Sequence, residues 1–394
     1  MTRKKIGVIV YSNPDYYPPT VSAILLLAKY YDVILVGRNF EQPTREYPLN
    51  VSIYRLGNYS SAEERSQLSS FGKIIEYLKF IRDAYSLLQH TDLIYAYEPY
   101  AFVASYLVKF RCRGKQAIIY QCHEIPERIE GLGKLVGWVQ RLEKRWINQA
   151  NLIILPEKTR AEIYQNMMEI QQLPMVVPNF PLKSLFPVLP ELNSLIEKRW
   201  NQPVLFYRGT ISDAISMREI FRSLQFLPEA WLKRVQIQFA GYLNALDAKA
   251  IDLELNNLNL TDQYIFWGAL PYTEANLATI TTTIGFCLYK PSSKNTGTMS
   301  TSSNKIFEYA GCYLPVIVSD TNNFRSFFAG EEWVHFANPD HPEAIAGAVS
   351  EILADFEQYK HKCMAARRAF EQRFNYENAF NPVIRQIDVL IQGK

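Results

Sequence analysis

Apolar residues along the first half of this chain alternate between two rhythms. Short apolar runs at Ile6–Tyr11, Asp32–Val36, Asp92–Tyr97, Gln116–Gln121 and Asn151–Leu155 have the length and composition of buried strands. Between them lie stretches with helical spacing: Val21–Tyr30, Phe71–Leu88 with Ile74, Ile75, Leu78, Ile81 and Tyr85 on one side, Ala101–Phe110, and Leu132–Trp146. Strand–helix alternation predicts right-handed crossovers and a parallel sheet covered on both faces. Prolines 174, 178, 181, 187 and 190 then break the rhythm and predict an interdomain linker. The alternation restarts with strands at Val204–Arg208, Gln236–Ala240, Tyr264–Trp267, Thr283–Tyr289 and Val316–Ser319, and a helical tail, Pro342–Ile391, follows. Two doubly wound halves predict a ligand cleft at the carboxyl ends of their strands.

Composition narrows the class. At 394 residues the chain exceeds one ordinary domain, and 48% apolar with 21% charged residues is a globular balance. The 42 basic and 39 acidic side chains leave a net charge of +3, too weak a field to suggest nucleic acid. Cys112, Cys122, Cys287, Cys312 and Cys363 are scattered, mostly in apolar runs, so they predict buried thiols in a reducing compartment rather than disulfides or a zinc site. The apolar run after Met1–Lys5 is cut at Ser12-Asn13-Pro14-Asp15, too short for a signal peptide, and no later run reaches the ~18 residues of a membrane span. The expectation is a cytoplasmic protein, soluble or peripheral to the inner face of the plasma membrane.

Several motifs are absent. The sequence has no GxxxxGK[ST] phosphate loop, GxSxG elbow or HExxH helix, and no Asp-x-Asp pair to clamp a divalent ion on a diphosphate. Gly131-Leu132-Gly133-Lys134 with Gly137 has dinucleotide-loop spacing but follows Glu127-Arg128-Ile129-Glu130, which is no strand. The richest stretch is Ser303–Asp320, SNKIFEYAGCYLPVIVSD. It predicts a short helix opened by serine, stopped at Gly311 and turned at Pro315 into a strand. Asn304, Lys305 and Glu308 fall within its first turns, where free amides and a lysine favour an anion and a carboxylate can accept two ribose hydroxyls. A solvated Lys305–Glu308 surface pair accounts for the same residues without function.

This stretch resembles the P-N-K-L-F-E-Y-x-x-x-G-L-P-V-I signature of retaining GT-B glycosyltransferases, family 4 (group 1) in particular. Other segments match in order: Ile118–Glu124 (IIYQCHE), Asn151–Pro156, Val176–Asn179 (VVPN), Val204–Thr210 (VLFYRGT), Phe239–Gly241 and Trp267–Leu270. The resemblance implies an α/β chain of the GT-B class, two Rossmann-like doubly wound parallel-sheet domains facing across a cleft. Residues 1–182 would bind the acceptor, 183–373 the nucleotide-sugar donor, and 374–394 would form a helix packing back on the first domain. It further implies transfer of a hexosyl-type group, with retention, from a UDP- or GDP-sugar to a sugar, lipid-linked or small-molecule acceptor, with no metal and no cofactor.

By the same resemblance Glu308 binds the donor ribose, Lys305 and Arg208 face the diphosphate, and His123 sits near the donor sugar. Gly209, Thr210, Arg218, Gly241, Ser303, Asn304, Tyr289 and Glu124 complete the candidate set. Fixed cations and helix amides can stabilise the departing diphosphate. The chain departs from the family in three places. Ser300 stands where an E-x7-E pair has its first acid. Arg208 precedes Gly209 instead of following it, with Arg218 the nearest later base. The first loop, Ser12–Pro19, is bulky rather than glycine-rich. In relatives the region of helix Leu132–Trp146 can touch anionic membranes; a helix docked on its own sheet explains the same apolar face. A nucleotide-sugar epimerase of the same architecture, or a binding subunit that has lost catalysis, stays open.

Overall fold

The structure is a computed structural model that describes residues 3–40, 45–61, 64, 67–128, 134–211 and 215–392. The chain forms two compact units, Met1–Asn179 with Tyr376–Lys394, and Phe180–Asn375. The glycines at 131 and 133 and Leu132 lie outside the described residues.

In the first unit the strands are β1 (Lys5–Val10), β2 (Asp32–Phe40), β3 (Val51–Ser60), β4 (Leu93–Tyr97), β5 (Ala117–Gln121), β6 (Leu152–Leu155) and β7 (Met175–Val176). Among the described residues they form one parallel sheet in the order β3-β2-β1-β4-β5-β6-β7. Buried runs such as LIYAY in β4 and AIIYQ in β5 make the centre of that sheet, as a strand covered on both faces requires. β3 was not visible as an apolar run: it is an edge strand in which buried Val51 is followed by exposed and half-exposed positions.

The second unit repeats the plan with β8 (Val204–Arg208), β9 (Gln236–Ala240), β10 (Tyr264–Phe266), β11 (Ile284–Cys287), β12 (Val316–Ser319) and β13 (Val334–Ala337), ordered β10-β9-β8-β11-β12-β13. In both sheets the strand order reverses once, between β1 and β4 and between β8 and β11. Such switch points open crevices at the carboxyl ends of the strands.

The predicted tail is three helices, Pro342–Ile352, Phe356–Gln372 and Tyr376–Gln392. The last packs in the first unit, where the Tyr31 hydroxyl donates to Asp388 at 2.7 Å. The units divide at 179/180 and 375/376, against 182/183 and 373/374 predicted from the sequence. Phe180 is the reason at one end, since its ring meets Phe307 and Phe374 at 4.3 and 5.6 Å. At the other end the Asn375 amide donates to the carbonyls of Phe370 and Glu371, closing the preceding helix.

Candidate active site

In the second unit the site is built from the switch-point strands and the helix Asn304–Gly311. Along β8 side chains alternate, so Tyr207 and Arg208 leave opposite faces of the sheet. Tyr207 meets Lys305, whose ammonium donates to the Tyr207 and Tyr289 hydroxyls at 3.1 and 2.8 Å. It also lies over both rings, 4.5 and 4.9 Å from their centroids, where the ring quadrupoles favour a cation. Among the described residues no carboxylate pairs with Lys305. The Tyr207 hydroxyl itself donates a hydrogen bond to the Thr210 carbonyl at 2.8 Å, which ties down the loop after β8.

That loop needs two glycines. Gly209 has φ +122°, and a Cβ there would stand 3.2 Å from Lys305 Nζ. A Cβ on Gly241 would fall 1.8 Å from the Gly209 carbonyl oxygen. Ser303 opens the helix but does not cap it; its hydroxyl lies 3.3 Å from both Cys287 Sγ and the Tyr289 hydroxyl. Asn304 Oδ1 is buried without a hydrogen-bond partner.

Glu308 and Arg208 are buried together at 4% and 7% exposure, with Arg208 Nε 3.1 Å from Glu308 Oε2. Arg208 Nη1 donates to Asn276 Oδ1 at 2.7 Å and to Thr279 Oγ1 at 3.3 Å, and the guanidinium lies over the Tyr272 ring. Burial, then the Glu308 charge, pushes the Tyr272 hydroxyl well up, and that hydroxyl is hydrogen-bonded to Glu308. Glu308 is therefore paired with Arg208 and Tyr272, and the Lys305–Glu308 surface pair does not form. Arg208 is committed to Glu308 and helix Tyr272–Ile280, away from Lys305, because the inversion with Gly209 moves it back into the strand. Arg218 is exposed at the start of helix Met217–Ser223 and joins neither group by a hydrogen bond. Ser300 is 1% exposed, and its N–H donates to Asn323 at 2.9 Å, so the loop before the helix is packed.

In the first unit the polar site lies at the ends of β4 and β5. His123 is 3% exposed, its Nε2 3.4 Å from Thr20 Oγ1, its ring between Tyr17 (4.4 Å) and a near-parallel Tyr97 (5.7 Å). Burial, then the neighbouring Arg160 charge, lowers its pKa to about 3, so the imidazole is neutral near pH 7. Glu124 is exposed and makes no hydrogen bond to it. The partner of His123 is instead Glu98, whose carboxyl burial raises to about 8. Glu98, Arg160, Tyr207, Tyr272 and Asn276 were missed. Glu98 alone left a signal, an acid immediately after a strand-like run.

The apolar face predicted for helix 132–146 is packed: Val139 is in the core, and Leu135, Leu142 and Trp146 lie against it. The helix runs Leu135–Trp146, and its exposed residues with the preceding position are Lys134, Trp138, Arg141 and Arg145. Among the described residues no group of three His, Cys, Asp or Glu is placed to hold a metal ion, and no helix is long and apolar enough to cross a membrane.

The profile of the Glycosyl transferase-like family matches residues 220–384. A search of curated proteins finds no match. Similar solved structures include the sucrose-phosphate synthase (tll1590) of Thermosynechococcus elongatus, 15% identical, with TM-score 0.76 over 100% of both chains. Anabaena Alr3699/HepE, solved with UDP and glucose, is 14% identical with TM-score 0.70, covering 98% of this chain and 100% of its own. WaaG, a glycosyltransferase involved in lipopolysaccharide biosynthesis, is 10% identical with TM-score 0.66, covering 95% and 98%. With these neighbours and its two parallel α/β units, the chain has the GT-B fold and resembles the group 1 glycosyltransferases.

Proposed function

We propose that this protein is a retaining glycosyltransferase that moves a hexosyl-type group from a nucleotide diphosphate sugar to an acceptor hydroxyl, in polysaccharide, glycolipid or glycoconjugate biosynthesis. The observation that carries this is Lys305, a cation in the first turn of a helix, beside Gly209, with phenols rather than a carboxylate as partners. Such a group lacks an anion, and a diphosphate supplies one. As the bond to the anomeric carbon breaks, charge grows on the leaving phosphate oxygen. Lys305 and the amides of helix Asn304–Gly311 stabilise it from fixed positions, without a metal. Glu308, held by Arg208 and Tyr272, takes the ribose hydroxyls, and neutral His123 hydrogen-bonds the sugar. UDP is the preferred nucleotide, because similar structures were solved with UDP and UDP-glucose.

The test is incubation of purified protein with UDP- and GDP-sugars, with products followed by NMR. Released nucleoside diphosphate and a product of retained anomeric configuration, unaffected by a chelator, support the proposal. An altered sugar still on its nucleotide supports an epimerase, and binding without turnover supports a catalytically silent subunit. We place the protein in the cytoplasm with a peripheral membrane contact through Lys134, Trp138, Arg141 and Arg145, since a tryptophan among basic residues suits an anionic bilayer surface. Sedimentation with vesicles containing phosphatidylglycerol, absent with phosphatidylcholine alone, is the expected result.

A further inference from the structure

The peptide of His123 is gripped at both ends. Its N–H donates to Glu98 Oε1 at 2.8 Å, and its carbonyl accepts from Arg160 Nη1 at 2.5 Å. Arg160 is 2% exposed, and burial holds the Glu98 carboxyl high enough to stay neutral near pH 7. Glu98 reaches this position through its backbone. It is the first residue of helix Glu98–Arg111, directly after β4, and its φ is +67°, a left-handed value that non-glycine residues rarely adopt. Strand β4 pairs with β5 up to Tyr97 and Gln121, so the turn at Glu98 sets its carboxyl against the peptide two residues past the end of β5. Backbone strain of this kind persists where the surroundings enforce it, and it concentrates at functional sites.

The ring is enclosed as tightly as the peptide. Tyr17 and Tyr97 take its faces, Thr20 meets Nε2, and the Asn179 side chain lies beside the buried ring. Half-buried Glu98 and buried Arg160 thus reach the same peptide from its two ends. Their joint effect is to fix one orientation of one imidazole.

We infer that Glu98 and Arg160 are positioning residues, which clamp the His123 peptide so that its imidazole is presented to the reacting sugar; this rests on the transferase reading above. Neither touches substrate. Glu98 acts as an acceptor for one N–H, so its amide analogue should serve.

The experiment uses the full chain, with nucleoside diphosphate release from a UDP-sugar as readout. Glu98→Gly removes the carboxyl yet suits φ +67°, so the fold is retained, which the unfolding midpoint checks. It should lower kcat about tenfold with donor KM unchanged, and Glu98→Gln, which restores the acceptor, should recover the rate to within about threefold of wild type. Combined with His123→Ala, Glu98→Gly should add no further loss, because no ring remains to be misplaced. A double variant slower than His123→Ala by the full Glu98→Gly factor overturns the inference. Imidazole NMR of the 15N-histidine-labelled chain gives a second readout that needs no turnover, with His123 assigned from His123→Ala. The wild-type ring should hold one tautomer between about pH 5 and 8, whereas in Glu98→Gly it should average and titrate nearer the ordinary value of about 6.5. An unchanged His123 signal in Glu98→Gly overturns the clamp. A wild type that turns over no donor sinks the transferase reading and leaves the spectrum to decide the clamp.

Discussion

The two units meet the same physical problem, polar groups buried at a switch point, with opposite solutions. In the first unit two groups are discharged beside a charged Arg160: His123 is held neutral down to about pH 3 and Glu98 up to about 8. In the second, charge is kept: Arg208 and Glu308 neutralise each other, and Lys305 is held by phenols and ring faces. Desolvation penalises an isolated charge, so a site either discharges its groups or pairs them. Under the function proposed above, each solution suits a different part of the donor. A diphosphate needs fixed positive charge, whereas a neutral sugar is better met by hydrogen bonds that carry no net field.

The largest effect should come from removing the cation of the site that rests on phenols. Lys305→Ala should lower kcat/KM for a UDP-sugar by about 100-fold, the scale of losing one donor to a developing anion. A loss below about threefold would place the diphosphate elsewhere. Glu308→Ala should weaken donor binding by about tenfold or more and leave Arg208 as an unpaired buried charge. The second unit should then lose about 3–5 kcal/mol in denaturant unfolding, the cost of breaking a buried pair from one side. Unchanged donor titration would remove Glu308 from the ribose site.

The third prediction separates the units by pH. Burial raises Glu98 to about 8 and Glu143 to about 7, so between about pH 4.5 and those values the folded acids keep protons that the unfolded chain releases. Their contribution is full below about 4.5 and is lost as pH rises through 7 to 8. His123, lowered to about 3, acts oppositely, its contribution being lost as pH falls below about 6.5. Between about pH 6.5 and 8 the two acids dominate among these three groups, so hydrogen exchange should report the first unit weakening over that range. Glu98→Gln should flatten that slope, and a first unit that strengthens over this range would contradict the assignment of neutral acids. The smallest effect is at the surface: Trp138→Ala should reduce binding to anionic vesicles a few-fold with stability within about 0.5 kcal/mol.

The comparison also explains what could be seen in advance. Val204–Arg208, Gln236–Ala240 and Val316–Ser319 were legible to the residue, because VLFYR and VIVS are buried throughout and QIQFA alternates polar and apolar positions as a strand does. The edge strands β3 and β13 were not: in β3 buried Val51 is followed by exposed and half-exposed positions, and β13 is only four residues, VHFA, with a histidine inside it. Within the site, helix Asn304–Gly311 was legible since its residues are contiguous. Of the partners of that helix Tyr289 was among the candidates, whereas Tyr207, Tyr272 and Asn276 come from β8 and helix Tyr272–Ile280, whose meeting no local pattern encodes.

The sequence by itself therefore determined the two αβ halves, the break between them and the group Ser303, Asn304, Lys305 and Glu308, all consequences of local periodicity and adjacency. Tertiary structure alone decided that Glu308 faces Arg208 rather than Lys305, that Lys305 rests on phenols, and that His123 is held by Glu98 rather than by its neighbour Glu124. The reason is the same in each case. A buried polar group takes whichever partner the packed strands bring within about 3 Å, and that distance is set by the sheet, not by separation along the chain.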